Sequence, residues 1–140
     1  GGTMTGAGEI IKLARPETQI VVAEPENAAL LSGKEWTPHK IQGWTPDFIP
    51  RVLKKEVADR FVPVSDDESI EVAQKLAKEE GIFTGISGGA TLAACFKTAE
   101  VAPENSTFCV MLPDTGERYL SSPLFDRITE DSDEDWLSGV

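Results

Sequence analysis

Cysteine and histidine are scarce in this chain of 140 residues: it has two cysteines, Cys95 and Cys109, and one histidine, His39. So few, so widely spaced, they form no zinc pattern and argue against a disulfide framework. Cys95 sits in a small-residue helical run and Cys109 in a β-branched apolar run, so both read as buried thiols of a reducing compartment. No apolar run nears the ~20 residues that cross a bilayer. The first residues lack the charged start and long apolar core of a secretion signal. Basic residues are also short, with 13 Lys and Arg against 24 Asp and Glu and a net charge of −11. That balance argues against nucleic acid and against an anionic membrane surface as partners. No Gly-Lys-Ser or Gly-Lys-Thr follows a glycine run, and no Ser-His-Asp order, metal cluster or paired-carboxylate constellation stands out. No internal repeat or low-complexity tract is visible.

What is present alternates between helix and strand patterns. The chain opens on Gly1-Gly2-Thr3-Met4-Thr5-Gly6-Ala7-Gly8, a composition suited to a loop that wraps an anion. A short helix, Glu9 to Arg15, follows and ends at Pro16. No strand feeds the loop, so the chain is expected to be part of a longer fold. Gln19 to Ala23 reads as a buried strand, and Asn27 to Pro50 as a long irregular stretch of the kind that is usually functional. Leu53 to Val57 reads as a helical turn and Arg60 to Val64 as a second strand, with Pro63 marking its end or an edge. Ser65 and Glu68 have capping-box spacing. The helix they open carries Ile70, Ala73, Leu76 and Ala77 on one face and ends at Gly81. Gly85-Ile86-Ser87-Gly88-Gly89 links to a helix from Ala90 to about Glu100. Thr107 to Leu112 is the cleanest strand pattern in the chain, and Pro113-Asp114-Thr115-Gly116 turns out of it. Apolar strands separated by amphipathic helices predict an α/β fold: an open, mostly parallel twisted sheet with helices on both faces.

Three polar, glycine-bearing turns could carry chemistry: the opening loop, Gln42-Gly43, and Asp114-Thr115-Gly116. Thr115 follows a strand pattern directly, where a parallel sheet places ligands, or it belongs to an ordinary turn that satisfies its own backbone. The opening loop is suited to a small anion such as phosphate, or is a flexible terminus. Ser87-Gly88-Gly89 is a second anion contact or a site of close packing between elements. His39 has no carboxylate near it in sequence and reads as a hydrogen-bonded loop histidine rather than a general base. The last segment, residues 126–140, holds six acidic residues against Arg127 alone. It reads as a solvated acidic tail, or as a docking tail with Trp136-Leu137 as its anchor.

Together these pieces resemble the C-terminal half of the cysteine synthases (O-acetylserine sulfhydrylases), which are fold type II pyridoxal-phosphate enzymes. Gly1-Gly2-Thr3-Met4-Thr5-Gly6 resembles the end of that family's phosphate loop. Pro38-His39-Lys40-Ile41-Gln42-Gly43 resembles its segment on the substrate side of the cofactor. Glu80 to Ala90 resembles its glycine-serine turn into a helix, and Pro113 to Ser121 its segment at the pyridine nitrogen. The likeness covers residues 1–125, expected to be the C-terminal portion of the cofactor domain, with residues 126–140 as the tail.

The resemblance implies that Gly1, Gly2 and Thr3 hold the phosphate of pyridoxal 5'-phosphate, that Thr115 meets the pyridine nitrogen, and that Gly43 leaves room for the bound amino acid. A hydroxyl partner leaves that nitrogen largely unprotonated, which favours elimination at the β-carbon. The implied reaction replaces the acetate of O-acetylserine with sulfide to give cysteine. The family's Schiff-base lysine has no matching motif in these residues, so no catalytic residue is assigned and this chain alone is expected to be inactive. The resemblance also implies a homodimer for the whole enzyme, the C-terminal peptide of serine acetyltransferase as a partner, and a cytoplasmic location with an organelle left open. Cystathionine β-synthase and serine/threonine dehydratase are neighbouring readings on the same fold, and a non-catalytic peptide-binding module is a reading of another class.

Overall fold

The computed structural model describes residues 1–126. Five regular elements make the fold: helix α1 (Gly2–Ala14), strand β1 (Val21–Pro25), strand β2 (Arg60–Val64), helix α2 (Asp66–Glu80) and helix α3 (Ile86–Ala99). Short 3₁₀ turns lie at Glu26–Ala28, Lys55–Val57 and Gly116–Tyr119. The strands pair in parallel, from Val21 opposite Arg60 to Pro25 opposite Val64. This is the expected α/β arrangement. Helix α3 packs against both strands, and α2 packs along α3. Pro63 sits opposite Glu24 near the strand's end, and it lacks an N–H to give a further neighbour.

The core joins Val62 and Val64 of β2 to Ala73 of α2 and to Ile86, Ala90, Ala93 and Ala94 of α3. Ile41, from the long irregular stretch, and Tyr119 and Leu124, from the last segment, complete it. Ile41 and Ile86 are fully buried, each stabilising the fold by about 1.5–3 kcal/mol relative to an exposed side chain. The alanines of α3 let its axis approach the sheet. Glu24, 2% exposed, keeps its buried carboxylate satisfied by the Leu31 N–H at 2.8 Å and the Ser32 hydroxyl at 2.6 Å. That tether lies at the start of the irregular stretch; Asn27 to Pro50, expected to be irregular, holds no regular element beyond the end of the 3₁₀ turn at Glu26–Ala28.

The capping box is present: the Glu68 N–H reaches the Ser65 hydroxyl at 3.2 Å, and the Ser65 N–H reaches the Glu68 carboxylate at 3.5 Å. Gly81 ends α2 in the left-handed region at φ +69°.

Five expectations need correction. The opening glycine segment is not a loop before a helix at Glu9; helix α1 already begins at Gly2. Its small residues are used for packing: Gly8 faces Val57, and the buried Thr5 hydroxyl accepts the Lys54 N–H at 3.0 Å. Helix α3 likewise starts at Ile86 rather than Ala90. Strand β1 lies two residues later than Gln19 to Ala23, because its pairing starts where the Asp59 N–H meets the Ile20 carbonyl at 2.9 Å. Thr107 to Leu112 forms no strand among the described residues. Strand propensity needs a neighbouring strand to become a ladder, and this segment's side-chain tie is the Thr91 hydroxyl on the Met111 carbonyl at 2.7 Å. Cys109 is therefore exposed and Cys95 half-buried, not a pair of buried thiols. Of the acidic tail, residues 127–140 lie outside the described residues. Among the described residues no helix is long and apolar enough to cross a membrane, and no cluster of metal-ligating side chains occurs.

Candidate cofactor and substrate site

The N-terminus of α1 offers bare amides. Gly1 is the N-cap and has no side chain to cap with, and the first turn carries no acidic residue. Gly1, Gly2 and Thr3 are exposed. The unpaired N–H groups and the positive end of a 13-residue helix therefore face outward with nothing of negative charge in that first turn to compete. A Cβ at Gly2 would meet nothing, whereas one at Gly1 would strike the Leu53 side chain at 2.7 Å. Gly1 is thus the position where the backbone must stay thin.

Gly43 lies at a tight turn closed by the Trp44 N–H on the Ile41 carbonyl at 3.3 Å. It is exposed, and its φ of +80° suits glycine. Two residues on, Thr45 has φ +35°, a sparsely populated conformation for a residue with a β-branch. The Thr45 carbonyl is pinned by the Trp36 indole N–H at 2.9 Å and lies 3.3 Å from the His39 Nε2. His39 is thus the hydrogen-bonded loop histidine expected from sequence. Its Nδ1 is buried without a protein partner.

Thr115 is half-buried and forms an isolated antiparallel bridge with Thr84. Around it the backbone is clamped. The Gly116 N–H donates to the Phe83 carbonyl at 3.2 Å, and the Thr84 hydroxyl donates to the Asp114 carbonyl at 3.1 Å. Beneath it the Tyr119 hydroxyl donates to the Asp114 carboxylate. That hydrogen bond, with burial second, pushes the Tyr119 phenol up to about 12. The Thr115 hydroxyl itself donates to the Glu117 carboxylate at 2.8 Å.

The glycines beside this clamp are there for closeness. A Cβ on Gly85 would meet an Asp114 carboxylate oxygen and the Tyr119 ring, each at 2.4 Å. One on Gly88 would overlap the Thr84 hydroxyl at 1.9 Å, and one on Gly89 the Ser69 carbonyl at 2.0 Å. Close packing, rather than a second anion contact, is what these distances support for Ser87-Gly88-Gly89.

The structure brings the Gly43 turn and the Thr115 segment to one core, since Ile41, Ile86 and Tyr119 share it. No hydrogen bond among the described residues links Gly1–Thr3 to Thr115; the α1 N-terminus is tied instead to Leu53 and Lys54. Sequence reasoning missed the Asp114–Tyr119 pair and the pinning of Thr45. Tyr119 is the only tyrosine of the chain, and a lone tyrosine close behind an Asp-Thr-Gly turn was the available signal.

An uncapped helix N-terminus, a glycine turn and a clamped hydroxyl-bearing turn are what this α/β frame displays at the three segments singled out from sequence. The chain belongs to the family of pyridoxal-phosphate dependent enzymes, matched over residues 1–114. Within that family it is similar to the O-ureido-L-serine synthase of Streptomyces lavendulae, with 50% identity over 139 residues, covering 99% of this chain and 43% of the relative. A cysteine synthase of Staphylococcus aureus is 43% identical over 125 residues, covering 89% of this chain and 40% of the relative. Among solved structures, O-ureido-L-serine synthase with O-ureido-L-serine bound superposes with a TM-score of 0.93 at 50% identity, over 98% of this chain and 43% of that one. Isoform 3 of the O-acetylserine sulfhydrylase of Entamoeba histolytica gives 0.87 at 38% identity, over 98% and 41%. The chain therefore spans less than half the length of these relatives. Its neighbours are fold type II enzymes, and the cofactor of its family is pyridoxal phosphate. The likeness to the Streptomyces relative also runs past Phe125, where the sequence motifs stop.

Proposed function

We propose that this chain is the C-terminal part of an enzyme that replaces the acetate of O-acetylserine with a nucleophile, and that the nucleophile is sulfide, giving cysteine. The observation that supports the reading is the uncapped, acid-free, exposed N-terminus of α1, since free N–H groups at a helix start favour an anion. Gly1, Gly2 and Thr3 would hold the phosphate there through backbone N–H groups and the Thr3 hydroxyl. Thr115, fixed by Thr84 and by the Asp114–Tyr119 pair, would place a neutral hydroxyl at the ring nitrogen. Gly43 would leave space beside the amino acid. Bound pyridoxal phosphate supplies the electron sink that lets a leaving group depart from the β-carbon. The residues of this chain bind and orient; none of its lysines sits in the motif of the family's Schiff-base lysine, so these 140 residues alone are expected not to turn over. The whole enzyme is taken to be a homodimer.

A second nucleophile has its own support. Identity is 50% to the O-ureido-L-serine synthase and 43% to the cysteine synthase. Product names imply the difference: attack by the oxygen of hydroxyurea would give O-ureido-L-serine, and attack by sulfide would give cysteine. The test is the full-length holoenzyme with O-acetylserine and, in separate reactions, sulfide, homocysteine or hydroxyurea, with products identified by mass spectrometry. Cysteine as the fastest product is expected. O-ureido-L-serine as the fastest product replaces the first reading with the second, and cystathionine as the fastest moves the protein to the neighbouring activity. No product from any of them overturns the assignment to β-replacement.

A further inference from the structure

The Thr115 hydroxyl has one proton to give, and in this structure it gives it to Glu117, at 2.8 Å. The backbone around it leaves little freedom to do otherwise. Thr115 is bridged to Thr84, its neighbour Gly116 donates to the Phe83 carbonyl, and its other neighbour Asp114 is held by both the Thr84 hydroxyl and Tyr119. What stays adjustable is rotation of the hydroxyl about its own C–O bond. An unprotonated pyridine nitrogen can only accept, so Thr115 cannot serve it and Glu117 at once. A carboxylate is acceptor-only, so Glu117 cannot return a proton to the arrangement unless it is itself protonated.

We propose that Glu117 is a positioning residue that competes for the Thr115 proton and must release it for a ring nitrogen to accept it. The inference rests on the placement of Thr115 at that nitrogen. Glu117 then opposes cofactor binding: the bond it accepts from the Thr115 hydroxyl has to break. Release costs no more than one net hydrogen bond, since the Glu117–Thr115 bond is exposed and water can take its place at the carboxylate.

The experiment measures the dissociation constant of pyridoxal phosphate by equilibrium dialysis of the full-length protein, with the absorption spectrum of the bound cofactor as a second readout. Thermal melting of the cofactor-free protein reports folding. Four variants suffice: Glu117→Ala, Thr115→Val, Thr115→Ser and the double variant Glu117→Ala/Thr115→Val. Glu117→Ala is expected to bind pyridoxal phosphate about 3–10-fold tighter, the range for losing one competing hydrogen bond. Thr115→Val is expected to bind more weakly and to shift the spectrum, and in its background Glu117→Ala is expected to change nothing. Thr115→Ser, which keeps the hydroxyl, should restore parental affinity. If Glu117→Ala binds equally or more weakly while Thr115→Val weakens binding, the role of Glu117 is overturned and the placement of Thr115 survives. If Thr115→Val melts like the parent and binds like it, the placement itself fails and the inference falls with it. An equal effect of Glu117→Ala with and without the hydroxyl also overturns the proposal, because the effect would then not pass through Thr115.

Discussion

Replacing Gly89 by alanine should destabilise the protein, and the size follows from distances at the crossing of α2 and α3. A Cβ on Gly89 would lie 2.0 Å from the Ser69 carbonyl oxygen and 2.8 Å from both the amide nitrogen and the Cβ of Ala73. Ordinary contact begins near 3.4 Å, so one helix would have to retreat by more than 1 Å. Ser69 gives way poorly, because its hydroxyl is bonded to the Ser65 carbonyl at 2.6 Å and that turn is held by the capping box. Overpacking of this kind costs about 1–3 kcal/mol. Removing a glycine from a helix interior returns about 0.5–1 kcal/mol. A clash of 2.0 Å with a backbone oxygen falls in the upper part of that range, about 2–3 kcal/mol, so the net is a loss of about 1–2.5 kcal/mol, or a fall in melting temperature of roughly 3–12 °C for a domain of this size. The matched control is Gly6→Ala in α1, where a Cβ would meet nothing within 4 Å and stability should rise by about 0.5–1 kcal/mol. Urea titration followed by far-ultraviolet circular dichroism measures both. Gly89→Ala as stable as the parent, with Gly6→Ala behaving as expected, would refute the packing argument. Affinity for pyridoxal phosphate should fall with Gly89→Ala as well, because a displaced α3 moves the Thr84–Thr115 bridge at its N-terminal end.

Other outcomes follow from single contacts. Ser65→Ala removes the acceptor of the Glu68 N–H and should cost about 1 kcal/mol in the same titration. Tyr119 has its phenol raised from 10.0 to about 12 in the folded state, so it adds stability that is whole below about pH 10 and is lost as the pH climbs through about 12. Tyr119→Phe should therefore flatten the alkaline limb of a stability–pH curve, and an unchanged limb contradicts the Asp114–Tyr119 bond. Asp59 is held below its usual value of 3.8, first by the Ile20 N–H and then by Lys12. Its contribution is present above about pH 3.8 and is lost on further acidification, so Asp59→Asn should lower stability at neutral pH and narrow its difference from the parent in acid. Gly43→Ala places a Cβ at φ +80°, which costs about 1–2 kcal/mol. In the holoenzyme it should raise the KM for O-acetylserine more than it lowers kcat if Gly43 faces the amino acid.

Much was legible in the sequence because it depended on neighbours in the chain. The Ser65–Glu68 box and Gly81 mark both ends of α2, since caps are local chemistry. Arg60 to Val64 is a strand over its expected range, and the Pro- and Gly-punctuated stretch after Glu24 stays irregular. The motifs around Gly1–Thr3, Gly43 and Thr115 carried the family. Contacts distant in sequence decided the rest. The opening segment is held as a helix where Val57 packs on Gly8 and the Lys54 N–H meets the Thr5 hydroxyl, and glycines 88 and 89 stand where Thr84 and Ser69 leave no room for a Cβ. Thr107 to Leu112 has the strongest strand pattern and no strand beside it among the described residues, since a ladder is a property of two segments. That the Thr115 hydroxyl points at Glu117 while Asp114 is taken by Tyr119 is likewise a tertiary outcome: composition supplies donors and acceptors, and only folded geometry assigns each proton to its partner.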